Sequence, residues 1–449
     1  MTAAAQAELA RLEEVLGSRW PETKIEPSLD RISHLMTLLA DPHLAYPVIH
    51  ITGTNGKTST SRMVESLLRE MGLNTGLVTS PHLHSLTERI RLNGEPISAE
   101  RFVEAYDELE PYLALVDTES LASGGPAMSY FEVLTGLAFA VFADAPVDVA
   151  IVEVGLGGTW DATNVVQAQV SVITPVGLDH MDYLGDTIAD IAREKAGIIK
   201  REGTAIIAQQ VPEALEMILT QCVDMDATVA REGVEFGVTQ RSVAVGGQVV
   251  SFNGLHAQYD DVLLGLYGAH QARNASVALA AVEAFFGAVL PLNEDAVRAG
   301  FANVTSPGRL EVVRRSPTVI VDAAHNPHGA SVLASALEES FTFDYIIGVV
   351  SVMGDKDVVG VLEALEPMFN EIVVTWNGSP RAMSVPDIKA RAEGVFGSDR
   401  VHTAEFLSDA IDVAIGLADA AGTTGVGVVV TGSVVTAALG RALLGVTRV

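Results

Sequence analysis

Short runs of β-branched residues alternate with Ala-, Leu- and Glu-rich stretches along most of the chain. That alternation restricts the fold more than any other feature. The runs YPVIHITG (46–53), DVAIVEVG (148–155), VSVITPVG (170–177) and GTAIIAQQ (203–210) read as strands, with helical patterns such as TSTSRMVESLLREMG (58–72) and MSYFEVLTGLAFAVFADA (128–145) between them. Strands separated by helices imply βαβ units and a parallel sheet covered on both faces. Over 236–265 turn glycines separate short alternating runs, which predicts antiparallel hairpins appended to the first domain. An Ala-rich helix over 270–289 follows, and βα alternation restarts with TVIVDAAHNP (318–327), YIIGVVSVMG (345–354), EIVVTWNG (371–378) and GVGVVVTGS (425–433). Pro307 and Gly308, within ANVTSPGRLEVV (302–313), mark the break between two domains.

Composition narrows the function classes. The 449 residues carry 28 Lys+Arg against 57 Asp+Glu, a net charge of −29, which argues against nucleic acid or an anionic membrane surface as the main partner. A single cysteine, Cys222, excludes an internal disulfide framework and a Cys-rich zinc site. The N-terminal segment MTAAAQAELARLEEVLG reads as an amphipathic helix, since Glu8, Glu13 and Glu14 interrupt any signal-like apolar core. The stretch 425–440 is too short to span a bilayer and is broken by Thr431, Gly432 and Ser433. A cytoplasmic chain is expected.

The strongest local signal is HITGTNGKTSTS (50–61): a strand, a glycine-containing loop with Thr54, Asn55, Gly56, Lys57 and Thr58, then a helix. Backbone N–H groups of such a loop hold phosphate oxygens, with Lys57 reaching the β/γ-phosphates and the Thr58 hydroxyl on Mg²⁺. A strict Walker A motif would place its first glycine at Ile51, so the loop is a variant of that pattern. Glu153 ends a near-continuous apolar strand, where a carboxylate is either paired in a salt bridge or bound to a metal. His180, flanked by Asp179 and Asp182, follows another strand, where ligands gather in parallel sheets. Lys195, beside Glu194 in a helical pattern, reads from its neighbours as a solvated i,i+4 partner. Asp322, His325 and Asn326 follow a strand of the second domain. No Gly-x-Ser-x-Gly elbow and no zinc-protease helix is present, and the first strand is not followed by G-x-G-x-x-G.

Together these segments resemble the folylpolyglutamate synthase and dihydrofolate synthase family, within the Mur ligase group of ATP-dependent amide-bond ligases. The matching stretches are ITGTNGKT (51–58), TSPHLHSLTERIRLNG (79–94), SYFEVLT (129–135), VEVGLGGTWDATN (152–164) and GLDHMDYLGDTIADIAREKAGIIK (177–200). They continue with GAHQARNASVALAA (268–281), PGRLEVV (307–313), DAAHNPHG (322–329), MGDKD (353–357) and TGSVVTA (431–437). The phosphate loop is common to the Mur ligases; the Thr-Ser-Pro-His-Leu loop and the Val-Glu-Val-Gly-Leu-Gly-Gly segment point to the folate branch. Thr58 departs from the glycine that many folate-branch members have there and matches Mur ligases.

The resemblance implies an α/β fold with a parallel-sheet P-loop ATPase domain, a small antiparallel appendage and a second, smaller Rossmann-like α/β domain. Its expected boundaries are 1–301 for the ATP-binding, Mur-ligase-like central domain, 302–312 for a hinge linker and 313–449 for the C-terminal glutamate-ligase domain. Lys57 and Thr58 would hold ATP phosphates and a first Mg²⁺ of two; Ser80, Glu153 and His180 match metal ligands; Lys195 matches a lysine that is carbamylated in the family. Asn274, Arg309 and Asp322 match nucleotide contacts, and His325 and Ser433 match positions near the incoming glutamate or the phosphates. Ser129, Phe131 and Asp161 match the pterin side of members that accept dihydropteroate. Lys57, Lys195 and His325 are the catalytic candidates, and Arg381 in GSPRAM is either a further substrate cation or a solvated loop residue. The implied substrates are ATP, L-glutamate and a folate or dihydropteroate, acting on a monomer. Two other readings stay open at this point: a Mur-type ligase with a UDP-muramoyl acceptor, and a P-loop NTPase that switches without ligating.

Overall fold

The computed structural model describes residues 3–20, 26–287, 291–423 and 425–446. The chain divides into two compact units. The first comprises residues up to 241 with 249–264 and 272–304, and the second comprises 242–248, 265–271 and the chain from 305 onward.

The first unit is built on eight strands: β1 (Val48–Thr52), β2 (Thr75–Val78), β3 (Ile90–Leu92), β4 (Glu95–Pro96), β5 (Val149–Glu153), β6 (Val170–Ile173), β7 (Thr204–Ile207) and β8 (Thr228–Arg231). Their order is β4-β3-β2-β5-β1-β6-β7-β8. Pairing is parallel from β2 through β8, and the β3–β4 hairpin is added antiparallel at the β2 edge. All five positions of β1 and of β5 are buried. This is why their sequences read as unbroken apolar runs: strands flanked on both sides and covered on both faces have no solvent-facing register. On one face Ala150 and Val152 join a core with Leu137, Phe139 and Phe142; at the far end Ile173, Ala205 and Ile207 pack with Ile191, Ala214 and Ile218.

Three further strands, β9 (Gly237–Ala244), β10 (Gly247–Asn253) and β11 (Gln258–Leu264), form a sheet of order β11-β10-β9. β9 and β10 are bonded neighbours joined by two residues, Val245 and Gly246 (φ 85°), a connection only antiparallel strands can make. The Ala-rich helix runs Ala269–Phe286; positions 288–289 of the predicted helix lie outside the described residues.

The second unit holds β12 (Glu311–Arg315), β13 (Thr318–Val321), β14 (Tyr345–Val350), β15 (Glu371–Trp376), β16 (Val401–Phe406) and β17 (Val426–Thr431), in the order β12-β13-β17-β14-β15-β16. Only β12 runs antiparallel, and it starts at Glu311, inside the segment read from sequence as linker. Alternate residues feed two cores: Ile320, Val350 and Val429 on one face, Val319, Val321, Val349, Val428 and Val430 on the other. The stretch 425–440 is accordingly strand β17 followed by the helix Val434–Leu443. Among the described residues no helix is long and apolar enough to cross a membrane.

Because β5 lies between β2 and β1 with no free face, Ile151→Ala should destabilise the first unit by about 2–5 kcal/mol. Urea unfolding followed by circular dichroism measures this loss.

Candidate active site

Register decides where the chemistry gathers. Ile51 pairs with Glu153, Thr52 with Ile173, and Val78 with Val152, so β1, β2, β5 and β6 end at the same level. The loops that follow them meet at one carboxyl edge of the sheet, where open α/β sheets bind ligands.

The phosphate loop is fastened on three sides. Thr54 N–H and Asn55 N–H donate to Pro175 O, and the Thr54 hydroxyl donates to Gly177 O at 3.0 Å. Gly53 has φ 147°, and a Cβ there would sit 1.8 Å from Thr174 Oγ1. Gly56 (φ 89°) precedes the helix Lys57–Glu70, and a Cβ on it would lie 2.8 Å from Asn274 Oδ1, which puts Asn274 against the loop. The first-turn amides of that helix have no intrahelical acceptor, so they and the helix dipole favour an anion.

Three charged side chains converge here. Glu153, 1% exposed, accepts the Thr58 hydroxyl at 2.8 Å. Lys57 Nζ donates to Gly53 O at 3.0 Å and Thr54 O at 3.2 Å. Lys195 Nζ donates to the same Gly53 O at 2.9 Å. Lys195 is 3% exposed, which corrects the solvated reading of its sequence neighbourhood. Glu194 meanwhile turns toward the Gly158 and Trp160 amides at 3.3 and 3.4 Å. Burial, reinforced by the Lys57 charge, pushes the Lys195 ammonium down to about 7, against the pull of Asp179, Asp161 and Glu194. Such a shift favours the neutral, nucleophilic amine.

Gly155 and Gly158 let this happen. A Cβ at 155 would meet the Phe131 ring at 2.5 Å, and one at 158 would meet the carbonyls of Glu194 and Lys195 at 2.6 and 2.8 Å. Asp161 holds the loop between them: its carboxylate accepts the Leu156 amide at 2.8 Å, the Thr163 amide at 3.0 Å and the Thr163 hydroxyl. His50 Nε2 reaches the same hydroxyl at 2.9 Å, and burial, aided by the Lys200 charge, holds His50 neutral with its pKa down at about 3.

Other predicted residues occupy places that sequence could not disclose. Ser129 caps the helix Tyr130–Asp144 in a capping box with Glu132. Ser80 lies in the loop after β2, its peptide to Pro81 cis. His180 takes a left-handed conformation (φ 51°) ahead of a short helix, its imidazole 41% exposed and 3.9 Å from Asp179 Oδ1. In the second unit, buried Asp322 accepts the Leu310 and Ala324 amides, both at 2.8 Å; burial raises its pKa while Arg309 opposes the shift. His325 Nδ1 lies 2.9 Å from Ala323 O. Ser433 caps the helix Val434–Leu443 and is 3.2 Å from Asn377 Nδ2. Arg381 is half exposed and bonds both oxygens of Asp355 at 3.0–3.1 Å. Glu88 was passed over by motif reading, although Ser85-Leu-Thr-Glu88 carries the S-x-x-E signature of the capping box it forms.

A loop suited to phosphate, a hydroxyl on a buried carboxylate and a buried lysine suit an ATP-dependent enzyme, and the comparisons with known proteins identify its class as an ATP-dependent ligase of Mur type. The Mur ligase middle-domain model matches residues 51–105 and 126–282, and the Mur ligase glutamate-ligase-domain model matches 308–434. The chain is 56% identical over 459 aligned positions to the dihydrofolate synthase/folylpolyglutamate synthase of Mycobacterium tuberculosis, covering 98% of this chain and 94% of that one. It is 36% identical to the Escherichia coli enzyme of the same name, over 77% of each chain. Among solved structures, M. tuberculosis folylpolyglutamate synthase complexed with ADP superposes with a TM-score of 0.96 at 56% identity, covering 99% of this chain and 100% of that one. E. coli FolC in complex with DHPP and ADP gives 0.85 at 31% identity over 97% of each. The chain belongs to the dihydrofolate synthase/folylpolyglutamate synthase family of the Mur ligase superfamily.

Gly158→Ala should lower turnover on the order of 100-fold by displacing the helix that carries Lys195. Gly394→Ala, whose Cβ meets nothing within 4 Å, should leave it unchanged. Initial rates of phosphate release compare the two.

Proposed function

We propose that the protein joins L-glutamate to folates in an amide bond at the expense of ATP, and that it accepts dihydropteroate as well. The observation that carries the reading is the meeting of Lys57 and Lys195 on the Gly53 carbonyl, beside the Thr58–Glu153 hydrogen bond, at the carboxyl edge of the sheet. The folate reading is supported by the similarity to enzymes named for both activities and to one solved with DHPP and ADP. A UDP-muramoyl acceptor is not favoured by these similarities, and neither is a switch NTPase.

A carboxylate is a poor electrophile, so the acceptor must first take the γ-phosphoryl group of ATP and become an acyl phosphate. The loop amides and Lys57 stabilise the charge that develops on the transferring group. The amine of L-glutamate then attacks, and the tetrahedral intermediate expels phosphate and leaves the amide. Buried Glu153 with the Thr58 hydroxyl is a hard-oxygen donor set that suits Mg²⁺, which takes one or two carboxylates and completes its shell with water and phosphate. Among the described residues no group of three or more His, Cys, Asp or Glu could hold a metal ion by itself. We assign Ser80 and His180 to the same ions, and bound Mg²⁺ would neutralise charge on the phosphates.

Lys195 is assigned as a carbamate: its depressed pKa supplies the neutral amine that carbon dioxide requires, and the carbamate exchanges a buried cation for an anionic oxygen donor. Asn274, Arg309 and Asp322 are assigned to the nucleotide, His325 and Ser433 to glutamate or phosphate, and Ser129, Phe131 and Asp161 to the pterin side. For Ser129 and Asp161 the role passes through the backbone they hold. Functionally, 1–301, 302–312 and 313–449 are taken as ATP-binding domain, linker and glutamate-ligase domain. A cytoplasmic monomer is the state we assign.

With Mg-ATP and L-glutamate, phosphate release should depend on an added folate or dihydropteroate, each product heavier by glutamyl units in mass spectrometry. Release indifferent to acceptor would remove the ligase reading, and turnover with only one acceptor would remove the dual one. Glu153→Gln should cut turnover on the order of 100-fold or more, since it weakens a charged ligand where phosphate charge develops. Because the folded pKa of Lys195 lies below that of a free lysine and carbamate formation releases a proton, carbamate occupancy at fixed carbon dioxide should rise steeply from pH 6 to 8 and go on rising until the site is saturated. The ¹³C carbamate signal should be absent in Lys195→Met.

A further inference from the structure

The loop after β2 carries Ser80, and the structure shows what gives it its shape. Glu88, 6% exposed, turns its carboxylate back on the chain: Oε2 accepts the Leu83 amide at 2.8 Å, and Oε1 accepts those of His84 at 2.9 Å and Ser85 at 2.8 Å. Three consecutive amides thus end on one carboxylate. Ser85 closes a capping box with the turn Leu86–Arg89. Arg89 ties the other side: its carbonyl accepts the Thr79 amide at 3.1 Å, its Nε donates to His82 Nδ1 at 3.0 Å, and its guanidinium lies 5.2 Å from the centre of the Tyr130 ring. Residues 79 and 82–85 are therefore held on either side of Ser80.

We propose that Glu88 is a positioning residue for the nucleotide-bound metal, acting through the amides of 83–85 on the backbone that presents Ser80. Glu88 makes no contact with substrate in this role. The inference rests on the assignment of Ser80 to the metal. Glutamate is required because only an acceptor-only group with two oxygens can serve all three amides. Glutamine has the same shape, yet its amide nitrogen would face an N–H with another N–H.

A competing explanation is charge balance. Arg62, 8% exposed on the helix Lys57–Glu70, feels Glu65 and Glu88 as well as Glu153 and Arg91. Glu65→Gln removes one of these carboxylates without touching the loop, since Glu65 holds the Gly94 amide.

The test uses the full chain and two readouts other than turnover: amide hydrogen exchange at 83–85 without nucleotide, and the Mg²⁺ dependence of ADP affinity by calorimetry. Glu88→Gln should speed exchange at these amides about 10-fold, the loss of roughly one hydrogen bond, while β1 and β5 stay protected. It should weaken Mg²⁺-dependent ADP binding by a similar factor, as should Ser80→Ala. The double variant should be no weaker than the worse single, because both act through one group. Glu88→Asp, which keeps the charge but shortens the reach, should fall between and serves if the Gln variant does not fold. Unchanged exchange in Glu88→Gln, or the same losses in Glu65→Gln, overturns the proposal. A Ser80→Ala effect that adds fully to that of Glu88→Gln also overturns it, since the two would then act separately. A Ser80→Ala variant with unaltered Mg²⁺ dependence overturns the Ser80 assignment on which it rests.

Discussion

The Gly53 carbonyl oxygen accepts hydrogen bonds from two lysines that lie 57 and 195 residues into the chain. Two ammonium groups on one acceptor repel each other in a medium that screens poorly. Burial, reinforced by the Lys57 charge, lowers the Lys195 pKa to about 7 and so eases that repulsion. Much of the first unit serves this meeting point. Gly158 exists so that the helix bearing Lys195 can come within van der Waals reach of the loop after β5, and Gly53 has no Cβ because Thr174 occupies its place. The same burial that depresses Lys195 keeps Glu153 away from water, where the Thr58 hydroxyl meets it.

Carboxylates in this edge fall into two kinds. Glu153 ends a strand and faces a hydroxyl, whereas Asp161, Glu88 and Glu194 face backbone amides of neighbouring loops. Asp322 does the same in the second unit. A carboxylate that collects N–H groups fixes a loop without regular secondary structure, because it satisfies donors that no ladder or helix can reach. This explains how a site made of loops keeps a defined shape, and why residues assigned to substrate by resemblance, Asp161 and Asp322 among them, are found holding backbone.

Much of the fold was legible in the sequence. The strands read at 46–53, 148–155, 170–177 and 203–210 contain β1, β5, β6 and β7, and the glycine-punctuated region near 236–265 contains β9 to β11. These segments are either continuously apolar or cleanly alternating, and period alone discloses them. Six strands were not read: β2, β3 and β4 are four residues long or fewer, and β8, β12 and β16 escaped for a positional reason. Thr228–Arg231, Glu311–Arg315 and Val401–Phe406 lie at sheet edges, where one side meets solvent and polar residues are admitted, so their patterns are short and mixed. The phosphate loop was likewise plain, because a strand, glycines, a lysine and a helix start are all local features.

Lys195 was not legible from its neighbours. Beside Glu194 on a helix it has the pattern of a solvated pair, and only resemblance spoke for another role. The sequence by itself determined the βα alternation, the position of the anion-binding loop and the apolar strand that ends in Glu153, because these depend on interactions within a few residues of one another. Tertiary structure alone decided which charges are buried and which lysine is driven toward neutrality. Those depend on approach between segments a hundred or more residues apart and on the removal of water from between them, neither of which has a period that a sequence can display.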